Sequence, residues 1–64
     1  MSISYYTDTK GNEWRLQENG ESNRGTCYFV YLFDEDECHY VYKGIVFTRK
    51  HEDKDIIYDF IMQD

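Results

Sequence analysis

The side chains best able to do chemistry lie in one stretch of the sequence, CYFVYLFDEDECHYVYKG, at residues 27–44. Four consecutive acids, Asp34–Glu37, precede Cys38 and His39, and a second cysteine, Cys27, begins the stretch. Thiolates and imidazoles bind zinc, carboxylates bind calcium, and paired cysteines form disulfides. The stretch is therefore a candidate for a metal site, a disulfide or a charged recognition surface.

Metal binding is disfavoured by the spacing of these residues. A structural zinc site draws its four ligands from closely spaced pairs such as CxxC, and the sequence contains no such pair. Cys38 and His39 are adjacent on a predicted strand, so their side chains point to opposite faces. A calcium loop alternates its acids with spacers and a glycine, whereas Asp34–Glu37 are contiguous. We expect no metal and no other cofactor.

A disulfide between the two cysteines is disfavoured by the predicted strand pairing. A hairpin that turns at Glu35-Asp36 places Cys27 opposite Gly44 and Cys38 opposite Phe33. The two cysteines are then about five or six residues apart along the ladder, or roughly 15–20 Å, whereas a disulfide spans about 4.4–6.8 Å between Cα atoms. We expect reduced thiols.

The sequence does not predict an enzyme. Each histidine lies next in sequence to a cysteine or an acid, but no separated nucleophile, base and orienting group can be assembled. Glycine-rich phosphate-binding loops of the GxGxxG or GxxxxGK[ST] type are absent. A small enzyme is kept as an alternative, because catalytic groups can converge from distant positions.

The spacing of apolar residues predicts a single α+β domain over residues 1–64. We expect a small antiparallel sheet of four to five strands, built from two hairpins, with one C-terminal helix packed on one face. The first hairpin is predicted to turn at Lys10-Gly11. That turn places four apolar residues on one face: Ile3, Tyr5, Trp14 and Leu16.

The second hairpin follows a predicted loop at residues 19–25 and consists of strands at 26–33 and 38–43. Lys43-Gly44 is predicted to be a bulge or a tight turn before a further short strand, IVFT. One face of the hairpin is expected to carry Phe29, Tyr31, Phe33, Tyr40 and Tyr42. The other is expected to carry Tyr28, Val30, Leu32, His39 and Val41.

The tail of the chain changes to a helical period. Its predicted apolar stripe is Ile56, Ile57, Phe60 and Ile61, and Asp55, Tyr58, Asp59 and Met62 point away. Asp53 is interpreted as the N-cap. One helix covers one sheet face, so several rings of the second hairpin are left uncovered, which is typical of an interface.

The charge of the chain limits its partners. The net charge is −6, and residues 34–64 carry nine acids against four bases. Such a surface repels nucleic-acid phosphates and anionic membranes and suits a basic protein. The sequence also lacks a signal peptide and a membrane span, so we expect a cytoplasmic protein without membrane contact.

The leading hypothesis is a non-enzymatic protein-binding module with a basic protein as its partner. Carboxylates on a rigid surface can imitate a row of phosphates and occupy a nucleic-acid-binding groove. In size and charge, though not by any motif, the chain resembles small acidic phage and mobile-element proteins that inhibit restriction, repair or CRISPR enzymes. The expected partner-binding residues are Asp34, Glu35, Asp36, Glu37, Tyr31, Tyr40, Tyr42, Asp55 and Asp59.

Two alternatives remain beside the small enzyme. The first is a homodimer that pairs its exposed sheet faces, with the acids serving solubility. The second is a single-stranded nucleic-acid binder, since RGTCYFVY at residues 24–31 partly matches an RNA-recognition strand signature. Tyr28 and Tyr31 would lie on opposite sides of that strand, and the charge has the wrong sign, so we expect no direct nucleic-acid binding.

Overall fold

The computed structural model of the protein describes residues 2–63, which form a four-stranded antiparallel sheet and one helix. The strands are β1 (Ile3–Thr7), β2 (Glu13–Ser22), β3 (Gly25–Asp34) and β4 (His39–Thr48), and the helix is α1 (Asp53–Met62). The strands lie in the sheet in chain order, each hydrogen-bonded to the next. The predicted α+β fold class is confirmed.

Asp8 shapes the turn between β1 and β2, which spans residues 8–12. Its Oδ1 accepts hydrogen bonds from the backbone N–H groups of Lys10 and Asn12, both at 2.9 Å. Its backbone carbonyl accepts a third bond, from the N–H of Gly11 at 3.0 Å. The predicted two-residue turn at Lys10-Gly11 is wrong, because the side chain of Asp8 stabilises a longer turn.

The longer turn shifts the register by one residue and so exchanges the faces of β1. Tyr6 pairs with Trp14 and packs against the buried core on the helix side of the sheet. Tyr5 pairs with Arg15, and Ile3 and Tyr5 are both exposed. The prediction that Ile3 and Tyr5 share a face with Trp14 is therefore wrong.

The predicted loop at residues 19–25 is almost entirely strand. β2 continues to Ser22 through a bulge between Glu18 and Glu21, and only Asn23 and Arg24 separate β2 from β3. Gly20 lies in this bulge at a φ of +86°, a conformation that glycine adopts without steric cost. The polar composition of the segment predicted a loop, whereas the bulge lets it remain in the ladder.

The β3–β4 hairpin turns over residues 35–38 and pairs Tyr31 with Tyr42 and Phe33 with Tyr40. This register differs by two residues from the predicted one, which paired Tyr31 with Tyr40. Side chains alternate with a period of two, so the difference leaves every ring on its predicted face. His39 pairs with Asp34 and so keeps its predicted face, with its side chain exposed at the start of β4.

A register shift in the β3–β4 ladder confirms the predicted bulge at Lys43-Gly44. Beyond the bulge β4 continues to pair with β3, and Cys27 lies opposite Phe47 rather than opposite Gly44 as predicted. Cys38 lies in the turn at the other end of the same hairpin. Both cysteines are free thiols, Cys27 buried and Cys38 exposed.

The buried core lies between the sheet and α1. Its members are Trp14, Leu16, Val30, Val46, Ile56 and Ile57. Tyr6, Tyr28, Leu32 and Phe60 are partly buried and pack against this core. The core thus draws on β2, β3, β4 and the helix, while within residues 2–63 no helix lies on the opposite side of the sheet.

The ends of α1 differ from the prediction. Glu52 is the N-cap, and its side chain makes no capping bond, whereas Asp53 lies in the first turn and accepts a hydrogen bond from Ser4 Oγ at 3.1 Å. Asp53 was predicted to be the cap, and that is wrong. At the other end, Gln63 Nε2 donates to the backbone carbonyl of Ile45 at 2.8 Å.

Ile57 and Ile61 lie on the same helix but differ in burial, since Ile57 is buried and Ile61 is 58% exposed. The predicted apolar stripe is therefore wrong at Ile61. We expect Ile57→Ala to lower the free energy of unfolding by about 2–5 kcal/mol, because it leaves a cavity in the core. Ile61→Ala should change it by less than about 0.5 kcal/mol. Urea unfolding followed by tryptophan fluorescence measures both, and equal losses would contradict the burial described above.

Substitution of Gly20 and of Gly25 by alanine allows a second comparison of stability. Both glycines have a positive φ, +86° and +112° respectively. A methyl group at Gly20 would meet no atom within 4 Å, whereas at Gly25 it would lie 2.6 Å from the carbonyl oxygen of Thr48. We expect Gly20→Ala to cost about 1–2 kcal/mol, the cost of a left-handed backbone in an L-residue. Gly25→Ala should cost clearly more. Thermal unfolding of the two variants gives the comparison.

Candidate protein-binding surface

The side of the sheet away from α1, here called the open face, is formed by alternate residues of the four strands. The pairings place its side chains side by side across the sheet. It carries the rings of Tyr5, Phe29, Tyr31, Phe33, Tyr40, Tyr42 and Phe47 and the aliphatic side chains of Ile3 and Ile45. Such a concentration of aromatic area is typical of protein interfaces.

The rings of the open face contact one another in two groups. Tyr42 lies 5.6 Å from Tyr31 between ring centroids and 6.2 Å from Phe29. Tyr40 lies 5.2 Å from Phe33 and 5.7 Å from Tyr5. The contact between Tyr5 and Tyr40 joins the two edge strands, β1 and β4, above the strands between them. The tilted and edge-to-face geometries are those that aromatic pairs prefer.

Two arginines place their guanidinium groups over rings of the open face. The guanidinium carbon of Arg15 is 4.8 Å from the centroid of Tyr31, and that of Arg24 is 4.4 Å from the centroid of Phe47. Arg15 also donates from Nη2 to Gln17 Oε1 at 3.4 Å, while its buried Nε has no hydrogen-bond partner within residues 2–63. Sequence reasoning assigned neither arginine a role on this face.

The predicted trio of Tyr31, Tyr40 and Tyr42 is brought together on the open face. Tyr31 and Tyr40 are half-buried by their neighbours, whereas Tyr42 is 55% exposed. Burial raises the pKa of Tyr40 above 10.0, and the nearby carboxylate of Glu13 adds to this effect. Tyr42 is therefore the member of the trio most accessible to a partner, together with the edge-strand residue Tyr5.

The acidic tip, residues 34–37, lies at one end of the open face. Asp34 Oδ1 accepts hydrogen bonds from the backbone N–H groups of Asp36 at 2.9 Å and Glu37 at 3.2 Å. Asp34 thus holds the turn, and the side chains of Glu35, Asp36 and Glu37 are exposed. Glu37 also lies 3.9 Å from Nε2 of the exposed His39.

A shallow pocket of about 340 Å³ adjoins the acidic tip. Leu32, Phe33 and Val41 form its apolar part, and Asp34, Glu35, Asp36 and Lys43 line the rest. An apolar floor beside carboxylates suits a long basic side chain, whose methylene stem packs on the floor while its charge meets the acids.

Asp55 and Asp59 do not join the acidic tip. Asp59 accepts hydrogen bonds from Thr48 Oγ1 at 2.6 Å and from Lys50 Nζ at 3.3 Å, at the opposite end of β4 from the tip. The Thr48 hydroxyl, and after it Lys50, lowers the pKa of Asp59 below 3.8. Asp55 is half-buried in the first turn of α1. The prediction that Asp59 points away from the sheet is wrong, because it ties the helix to β4.

Neither a cluster of metal-binding side chains nor a membrane-spanning helix is found in the described residues. Within residues 2–63, no three histidine, cysteine or acidic side chains converge in a way that could hold a metal ion. The only helix in this part of the chain is α1, which lacks the length and hydrophobicity needed to cross a bilayer.

Comparison of the chain with protein-family models, curated proteins and solved structures finds no match.

Asp8 is the residue that sequence reasoning missed most clearly, and it titrates in an unusual range. The Trp14 indole N–H, which donates to Asp8 Oδ2 at 3.0 Å, holds the pKa of Asp8 at about 2 rather than 3.8, and Asn12 and Lys10 add to this effect. A pKa lowered by folding means that the stabilisation is complete above about pH 4 and is lost as the pH falls towards about 2.

We therefore expect the indole N–H resonance of Trp14 to shift with a midpoint near pH 2 in the folded protein. Asp8→Asn should abolish this titration and lower stability at neutral pH, because the amide cannot accept all of the bonds that the carboxylate accepts. NMR spectra recorded against pH test this, with Asp36→Asn as the control. An unchanged indole titration in Asp8→Asn would contradict the assignment.

Proposed function

We propose that this protein is a non-enzymatic protein-binding module that blocks a basic nucleic-acid-processing protein in the cytoplasm. The observation that carries the proposal is the continuity of two surfaces, the acidic tip and the ring-covered open face. Phe33 and Tyr40, the last ring pair of the β3–β4 ladder, adjoin the turn that carries the acids. One partner could contact both surfaces at once.

The acidic tip supports the choice of a basic partner. Three consecutive exposed carboxylates, those of Glu35, Asp36 and Glu37, project from a turn that the Asp34 side chain holds in place. A pre-organised row of negative charges binds a phosphate-reading surface with a small loss of conformational entropy. The shallow pocket beside the tip would receive a lysine or arginine of that surface.

The open face supports a protein as the partner rather than a small ligand. Tyrosine and arginine are the residue types that contribute most binding energy at protein interfaces. Tyr5 and Tyr42 are exposed, and the half-buried Tyr31 lies beside Arg15. The ring contacts also restrict the side chains before a partner arrives, which lowers the entropic cost of binding.

The role of the tip is tested by reversing charge at two positions. We expect Glu35→Lys/Glu37→Lys to abolish capture of the partner from lysate of the native host, because the phosphate-like row is lost. The matched control is Glu21→Lys/Glu52→Lys, which changes the same number of exposed glutamates outside the tip. This control should retain capture at the same salt concentration.

The captured partner supplies the second measurement. We expect it to bind a labelled nucleic-acid oligonucleotide, and we expect the wild-type protein to displace that oligonucleotide. Equal capture by the tip variant and the control would contradict the role of the tip. A partner that binds oligonucleotide and this protein simultaneously would contradict the blocking mechanism.

A second candidate function is single-stranded nucleic-acid binding by the open face. The observation that favours it is the stacking of Arg15 and Arg24 on Tyr31 and Phe47, since rings and arginines form the platforms on which bases stack. The net charge of −6 opposes it. Binding of the purified protein to a labelled single-stranded oligonucleotide in moderate salt, lost in Tyr42→Ala, would favour this candidate over the first.

A further inference from the structure

The two ends of the sheet differ in charge. The turns at residues 8–12 and 35–38 lie at the same end, where Gly11 and Glu13 share a small cleft with Phe33 and Glu35. This acidic end carries Asp8, Glu13, Asp34, Glu35, Asp36 and Glu37 against two bases, Lys10 and the Lys43 that lines the pocket beside the tip. The opposite end, called the basic end for its Arg24, Arg49 and Lys50, also carries Glu21, Glu52 and Asp59 and is close to neutral.

The basic end keeps two guanidinium groups close to the β2–β3 turn. Arg49 donates to the backbone carbonyl of Asn23 at 2.6 Å, and Arg24 lies against Phe47 of the open face. Lys50 is partly neutralised by Asp59 at 3.3 Å. Arg24 and Arg49 are therefore the charges available to an approaching anionic group.

The open face itself is close to neutral although the chain is strongly acidic. Among the described residues it carries the guanidinium groups of Arg15 and Arg24 against the single carboxylate of Glu13. Two copies of an acidic chain repel each other least when they approach through such a surface. The exposed side chains of Ile3, Tyr5, Tyr42 and Ile45 lie on this same face.

We propose that the open face is covered by a second copy of this chain in a symmetric dimer. The two sheets pack face to face about a two-fold axis that runs across the strands. This axis reverses the strand direction of the second copy, so the acidic tip of each copy lies over the basic end of the other. An axis parallel to the strands would instead bring the two acidic tips together, which costs energy through like-charge repulsion.

The size of the open face is sufficient for such a dimer. β2, β3 and β4 have ten residues each and β1 has five. At roughly 3.3 Å per residue and about 4.8 Å between strands, the face covers on the order of 500–600 Å². Two copies then bury on the order of 1,000–1,200 Å², which reaches the minimum of about 1,000 Å² for a specific interface but does not exceed the small end of the usual range. The pair would be a β-sandwich with one helix on each outer side.

This dimer does not depend on the basic partner proposed above. If that partner binds the open face, it competes with the second copy, so the dimer would hold the module in a closed state. A wild-type protein that is monomeric but still captures the partner would refute the dimer alone. A stable dimer that captures no partner would refute the binding function alone.

The first experiment measures molecular mass in solution by light scattering behind size exclusion. We expect the wild-type chain to elute at twice the chain mass at micromolar concentration. Tyr42→Asp should give a monomer, because it places a charge in the interface. Tyr58→Asp is the matched control, since Tyr58 is 58% exposed on the helix and Tyr42 is 55% exposed on the open face. Ile3→Asp on β1 gives a second interface variant if Tyr42→Asp does not fold.

The second experiment tests the orientation by exchanging charges between the two ends. Arg24→Glu alone and Glu35→Arg/Asp36→Arg alone should each be monomeric, because each sets like charges against each other twice per dimer. An equimolar mixture of the two variants should form a heterodimer, in which both contacts are again between opposite charges.

Each outcome decides one part of the proposal. A wild-type monomer at all accessible concentrations overturns the dimer. A dimer that survives Tyr42→Asp and Ile3→Asp overturns the open face as its interface. A face-dependent dimer in which the mixed charge variants fail to associate overturns the antiparallel arrangement.

Discussion

The hydrogen bonds of the Asp8 carboxylate hold the register of the β1–β2 hairpin, and the two faces of the sheet depend on that register. The carboxylate accepts from two backbone N–H groups of the turn and from the Trp14 indole, so the turn and the core are joined through one side chain. In the register set by a two-residue turn at Lys10-Gly11, which differs by one residue, Tyr6 would leave the core and Tyr5 would enter it. The contact between Tyr5 and Tyr40 above the central strands exists only because the turn has its observed length.

One helix cannot cover both faces of a sheet, and this limit shapes the rest of the molecule. α1 and the sheet bury a compact set of aliphatic residues with Trp14, while the open face is organised by contacts among its own rings and two arginines. Such a face is ordered but only partly buried. That combination suits recognition, because a partner meets side chains that already have restricted motion, and it connects the proposed partner binding with the proposed dimer through a single surface.

The fold class and the face of each ring in the β3–β4 hairpin could be predicted from the sequence, because alternation is a strong signal and tolerates a register error of two residues. The face on which each β1 residue lies could not be predicted, because it depends on the length of the turn that the Asp8 side chain stabilises. The orientation of the Asp59 side chain towards the sheet could not be predicted either. It depends on a hydrogen bond from the Thr48 hydroxyl at the end of β4, which helical spacing does not reveal. Of the candidate site, the tyrosine trio was predictable, whereas the arginines stacked on rings were not.

The hydrogen bond from Gln63 to the carbonyl of Ile45 has a consequence for how sheets of this protein can grow. β4 is an edge strand, and a free edge is a template for adding another strand. The side chain of Gln63 occupies one of its backbone acceptors, and the bulge at Lys43-Gly44 interrupts the regular spacing of the others. At the opposite edge β1 offers only five residues. Both edges of the sheet are therefore poor templates for the edge-to-edge addition of further strands that builds fibrils.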